Sequence, residues 1–310
     1  MIDIYASTAW YLDHLMPIAT ALGPDLGTIH KLRPLKLRSG ARTRAALVAS
    51  YGDLKVMRKA GYERFALIQH GAGQSYGNDH PSFPGGRDQG DVGLFLVPNE
   101  HAAQRWRDVY PRASVAVVGC PKLDDLPARV PGRGPVVAVS FHWEFRLVPE
   151  TRSAYGEFAQ MLPVLAQRYK VVGHGHPRRR EMGRVWRRMK VEHLPSFADV
   201  CRRADVYVCD NSSSMFEFAS TGRPVVVLNA HGYRRDVSHG LRFWDAAGIG
   251  VNVDRPGDLL DGIARALEQR PEDVAAREAA LDVVYGVRSG SAQLAAAAIR
   301  RTFSIDTKAA

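Results

Sequence analysis

The chain has 310 residues, 45% of them hydrophobic, and a formal net charge of +10: enough apolar material for well-buried cores, and more length than the roughly 100–200 residues of a single domain. Its three cysteines, Cys120, Cys201 and Cys209, are odd in number and lack C-x-x-C spacing, which excludes a disulfide framework and the common zinc motifs. No apolar run reaches the roughly 18 residues that span a bilayer, and the opening MIDIYASTAW lacks the basic-then-apolar order of a secretion signal.

A cytoplasmic protein, at most peripheral to the anionic inner membrane face, is therefore expected. The positive balance favours anionic partners such as nucleotides and phosphorylated polymers.

In chain order, apolar runs at 2–5, 45–49, 65–69, 94–97 and 115–118 read as strands separated by segments long enough for helices, the signature of crossover units and a parallel sheet. PARVPGRGP at 127–135 then brings three prolines and two glycines, which break helix and strand alike. The pattern restarts with strands at 136–141, 170–173, 205–209, 224–228 and 249–253, alternating with helical segments at 151–167, 178–189 and 257–268. SGSAQLAAAAIRRT, 289–302, reads as a final helix. The expected organisation is an α/β chain of two doubly wound, Rossmann-like domains, 1–128 and 135–286, facing a central cleft, with a C-terminal helix and tail at 287–310. Ligands of open parallel sheets sit at the carboxyl ends of the strands.

Three stretches occupy such ends. Gln69-His70-Gly71-Ala72-Gly73 follows FALI, placing His70 at a strand end with Gly71 and Gly73 able to bring backbone close to a substrate. In Gly173-His174-Gly175-His176-Pro177-Arg178, residues two apart on extended chain face one side, so His174 and His176 can act together. Neither a carboxylate nor a third histidine stands at a ligand spacing, so no metal is expected. His176 and Arg178 instead suit a phosphate beside a helix start at Pro177.

The third stretch, CDNSSSMFEF, turns at Asp210–Ser213 into a helix. Ser214 and Glu217 have capping-box spacing, yet Asn211, Ser212 and Ser213 are donors beyond what one cap needs, and a surplus at a helix start suits a diphosphate. Arg184, Arg187 and Arg188 read as a solvated helix face, and the basic run at 30–44 as a surface that steers a large anionic acceptor; nucleic acid is not the expected partner.

These motifs in this order, His-Gly, then His-Pro, then D-x-S-S followed by FEF and G-x-P-V-V, resemble the CDP-glycerol glycerophosphotransferases of teichoic-acid synthesis. VVGCPKLD at 117–124 adds to the likeness, while Gln69 and Asn211 stand where that family usually carries tryptophan and tyrosine. The resemblance implies a GT-B fold and a transferase that moves a group from a nucleotide-diphosphate donor to a hydroxyl acceptor, a cell-wall polymer or glycan. It implies His70 as the base near the acceptor hydroxyl and His176 near the donor pyrophosphate. Asp210, Ser212 and Ser213 would hold the donor phosphates, with Glu217 near the ribose. No cofactor is required, the donor, CDP-glycerol or a nucleotide sugar, being a substrate.

Three alternatives stand beside this one. A GT-B glycosyltransferase would use the same residues. A UDP-N-acetylglucosamine 2-epimerase-like enzyme would draw on Ser140-Phe141-His142-Trp143-Glu144-Phe145, with His142 and Glu144 at the cleft. A non-catalytic nucleic-acid or acidic-polymer binder would need neither His70 nor His176.

Overall fold

The structure, a computed structural model, describes residues 1–31, 45–72, 89–143, 153–210, 212–231 and 248–304. Two compact units emerge, Met1–Asp125 joined by Val284–Ala310, and Leu126–Val283. The first contains β1 (Ile2–Ala6), α1 (Ala9–Leu22), β2 (Leu26–Lys31), β3 (Ala45–Val48), α2 (Tyr51–Lys59), β4 (Arg64–Ile68), β5 (Val92–Val97), α3 (Glu100–Val109) and β6 (Ser114–Val117). The second contains β7 (Val136–Ser140), α4 (Tyr155–Phe158), α5 (Leu162–Arg168), β8 (Lys170–Gly173), α6 (Met182–Arg188), β9 (Glu192–His193), α7 (Phe197–Arg203), β10 (Val206–Cys209), α8 (Ser214–Ala219), β11 (Val225–Leu228), β12 (Val251–Val253), α9 (Leu259–Glu268) and α10 (Pro271–Val284). The last helix, α11 (Ser291–Phe303), returns to the first unit.

In the first unit the strand order is β2-β1-β3-β4-β5-β6, with parallel pairings throughout. β1 and β3 are buried along their whole length, because helices cover both faces of a parallel sheet and alternation gives way to continuous apolar runs. β2, LGTIHK, was not anticipated from the sequence. As an edge strand it is only partly buried and mostly polar, and Gly27 is needed because a Cβ there would lie 1.9 Å from Asp3 Oδ1.

Two carboxylates fasten α11. Asp124 accepts from Ser291 N at 3.1 Å and Ala292 N at 2.7 Å, capping its start. At its far end Arg300 pairs with Asp25 at 2.6 Å and donates to the carbonyls of Ala21 and Leu22 that end α1.

The second unit has the order β12-β11-β10-β7-β8-β9, again all parallel. Read from β9, this is the doubly wound 3-2-1-4-5-6 order, whose switch point lies between β7 and β10. Gly173 ends β8 against Trp186, since a Cβ would come within 2.3 Å of the indole.

Three sequence expectations shift here. The helix expected over 151–167 is divided into α4, a 3₁₀ turn and α5, with Pro163 in the first turn of α5, where its missing N–H costs least. The helix expected from Arg178 begins only at Met182, and Pro177 belongs to a turn before it. The third reaches Glu268 as expected, but starts at Leu259 behind a 3₁₀ turn at Pro256–Asp258.

Candidate functional site

In the first unit, Gln69 extends β4 by donating its N–H to Leu96 O at 2.9 Å, and its side-chain oxygen accepts from Trp106 Nε1 at 3.3 Å. The next residue, His70, is exposed. Its Nδ1 lies 2.6 Å from Ala49 O at the end of β3. A carbonyl only accepts, so Nδ1 carries the proton and the lone pair of the neutral ring is on Nε2.

Tyr11 packs edge-on against this imidazole at 4.9 Å, and His14 lies 6.3 Å away. His14 is 6% exposed, with Nδ1 3.8 Å from Cys120 Sγ. Burial first, then the charges of Lys122 and His70, hold its pKa well below the ordinary 6.5, so it stays neutral. Beyond His70 the chain turns at Gly71, whose φ of 91° favours glycine. Ala72 O then accepts from Asn99 Nδ2, and the same asparagine caps α3 through Ala102 N. Gly73 lies outside the described residues.

In the second unit the two expected partner histidines part company. His174 is 7% exposed; its Nδ1 donates to Leu194 O at 2.7 Å, and its carbonyl accepts from Trp186 Nε1. Those bonds make it a packing residue that ties β8 to the segment after β9. His176 instead meets His142, ring centroids 4.9 Å apart, and Trp143 at 6.0 Å. Its Nδ1 accepts the N–H of Arg178 at 3.2 Å, so the proton of the neutral ring is on Nε2, opposite to His70.

The Arg178 guanidinium lies over the Trp143 ring at 4.9 Å. Arg179, unremarked in the sequence, stacks on Tyr155 at 4.8 Å and donates to His142 O at 2.9 Å. These contacts explain the late start of α6, because residues 177–181 form the turn that brings Arg179 back to β7.

Asp210, fully buried at the end of β10, accepts from His142 N at 2.7 Å, Ser153 Oγ at 3.0 Å and Ala154 N at 2.9 Å. With Arg179 on its carbonyl side, the His142 backbone is held between an anion and a cation at the switch point. Asp210 thus organises the site through these donors. Asn211 and Glu144 lie outside the described residues.

The expected capping box does not form. Ser213, not Ser214, is the N-cap residue of α8; its backbone is already helical at φ −59°, and its side chain makes no cap hydrogen bond. Ser214 turns its hydroxyl to Tyr207 at 2.9 Å and Ser212 at 2.8 Å, and Glu217 is 3% exposed. Of the three serines, only the half-buried Ser213 has a hydroxyl that bonds to no described residue. Among the described residues no three side chains of metal-ligating type gather, and no helix is long and apolar enough to cross a membrane.

Two doubly wound parallel sheets with histidines at their carboxyl ends define an α/β protein of GT-B-like fold. Residues 156–295 match the family described as CDP-Glycerol:Poly(glycerophosphate) glycerophosphotransferase, so the resemblance seen in the motifs holds, and the match supports a transferase. The fold is similar to that of a protein assigned as UDP-N-acetylglucosamine 2-epimerase from Listeria monocytogenes, with TM-score 0.64, 14% identity and coverage of 99% of this chain and 97% of that one. The wall teichoic acid polymerase TagF, in a structure soaked with CDPG, gives TM-score 0.62 at 13% identity over 99% of this chain and 90% of that one. The S. aureus MnaA-UDP co-structure gives TM-score 0.60 at 11% identity over 100% and 98%. No curated protein matches by sequence.

Proposed function

We propose that this chain transfers glycerol phosphate from CDP-glycerol to a hydroxyl of an anionic polyol-phosphate polymer or a glycan. The observation that carries this reading is the opposed protonation of two strand-end histidines, His70 with its lone pair on Nε2 and His176 with its proton there. The family match over 156–295 supports the choice of donor.

In the proposed reaction the acceptor oxygen attacks the glycerol-bearing phosphorus of the donor. The hydroxyl proton passes to His70 Nε2, the bridging P–O bond breaks, and its electron pair leaves on CMP. His176 Nε2–H, the Arg178 guanidinium and the Ser213 hydroxyl offset the charge that builds on the leaving phosphate. A positioned base contributes about 100- to 10,000-fold. Side chains and donor suffice for these steps, so neither metal nor prosthetic group is invoked. The net charge of +10 favours an anionic acceptor.

A thermal-shift panel of CDP-glycerol, UDP-sugars, GDP-sugars and free nucleotides tests the donor. A ligand at 100 times its Kd adds about 2.7 kcal/mol. Selective stabilisation by the cytidine compounds is expected, weakened in His176→Ala and retained in His70→Ala. A response confined to UDP-sugars would overturn the donor assignment. It would favour the second reading, a nucleotide-sugar enzyme, which draws on the fold shared with the UDP-bound protein.

A further inference from the structure

The second unit carries a cavity of about 370 Å³ that the proposed chemistry does not use. It opens beside Pro224–Val225, at the start of β11, and Gly248–Asn252, around the start of β12. These are the amino ends of the strands, the edge opposite the one holding His142, His176 and Asp210. In size it falls within the roughly 300–1,000 Å³ of small-ligand pockets.

Arg277 of α10 lines this cavity and is 4% exposed. Its Nη2 donates to Gly222 O at 2.7 Å and Gln269 Oε1 at 3.3 Å, while its buried Nε has no acceptor. Gln269 is held for this contact in a left-handed conformation, φ 46°, at the end of α9. Among the described residues Arg277 forms no ion pair. Burial pushes its pKa down, with Glu278 and Asp273 opposing from the same helix, and a guanidinium nonetheless keeps its charge at neutral pH.

The other guanidinium lining the cavity, Arg265, is already matched by Asp273 at 2.8 Å. Asp273 Oδ2 has no donor. The polar lining therefore holds one buried guanidinium with no carboxylate in contact, one unsatisfied donor and one unsatisfied acceptor. Val225, Ile249 and Ala266 supply an apolar wall. A buried guanidinium with an unsatisfied N–H and no carboxylate in contact is costly, and a small anion would supply the missing acceptor.

We infer that this cavity is a binding site for a small organic anion, a carboxylate or phosphate monoester, seated on Arg277 at the sheet edge opposite the candidate active site. A hydroxyl on the same ligand would satisfy Asp273. The site is independent of the donor reading, so the two fail separately.

Calorimetric titration of the full chain with acetate, lactate, inorganic phosphate and ethyl phosphate, each against sodium chloride of matched ionic strength, tests it. Saturable binding by the carboxylates or by the phosphates is expected and identifies the class. It should weaken at least about tenfold in Arg277→Met, as loss of a charge-assisted hydrogen bond requires, and should be unchanged by a saturating nucleoside diphosphate. Because Arg277 also holds Gly222 O, Ala276→Trp serves as a second variant that fills the cavity without removing a hydrogen bond; it too should lose the anion. Absence of saturable binding, retention in both variants, or competition by the nucleotide would overturn the inference.

Discussion

The histidine after β4 and the histidine after β8 stand in comparable places in their units but in unlike surroundings. His70 is backed by Tyr11, by a neutral His14 and by a carbonyl that takes its Nδ1 proton. His176 is set among His142, Trp143 and Arg178 and receives a backbone N–H on Nδ1. The first arrangement suits taking up a proton, and the second suits presenting donors to an anion. In the proposed reaction a shared strand-end position would serve two chemistries, selected by the ring nitrogen that the backbone engages.

Removing His70 should separate the two most strongly. In His70→Ala, turnover is expected to fall about 100- to 10,000-fold while nucleotide affinity, read by calorimetry, stays within a factor of two. Equal loss of both would erase the distinction.

Next in size is Asp210→Ala, which leaves two buried donors and one half-buried donor without their carboxylate and should cost about 3 kcal/mol of stability in denaturant melts. Asp210→Asn should recover part of that. A fully stable Asp210→Ala would remove the carboxylate from its organising role.

The pH dependence of stability comes third. The folded-state pKa of His14 is lowered, so the unfolded chain binds the proton more readily and stability falls as pH drops below the unfolded value near 6.5. The slope contributed approaches about 1.4 kcal/mol per pH unit. His14→Phe should flatten that part of the melting profile between about pH 6.5 and 5, and an unchanged profile would mean that His14 is not held neutral.

The smallest effect separates neighbouring serines. Ser213→Ala should weaken nucleotide binding about fivefold, the worth of about 1 kcal/mol, with unchanged melting. Ser214→Ala should instead lose about 1 kcal/mol of stability with its bond to Tyr207 and little affinity. The reverse pattern would reassign the phosphate contact.

The interior strands were legible in the sequence because parallel strands buried on both faces are unbroken runs such as VVAVS and VVVL. β2 and the two-residue β9 were not, since edge strands carry polar side chains and little length. His70 and His176 were legible as strand-end histidines. The separation of His174 from His176 was not, because it depends on Leu194 O, twenty residues away. Tyr11 and His14 are three apart on α1, a spacing that declares one helix face, but nothing in it says that this face meets β4. Nor could the sequence tell that Ser213 would enter the helix with αR backbone and keep its hydroxyl out of a cap.

The most direct measurement of the division between the two histidines is a long-range proton–nitrogen NMR correlation of the imidazole rings at neutral pH, with His70 and His176 assigned from His70→Gln and His176→Gln. His70 is expected as the Nδ1–H tautomer and His176 as the Nε2–H tautomer. Finding Nε2–H on His70, or Nδ1–H on His176, would contradict their opposed roles.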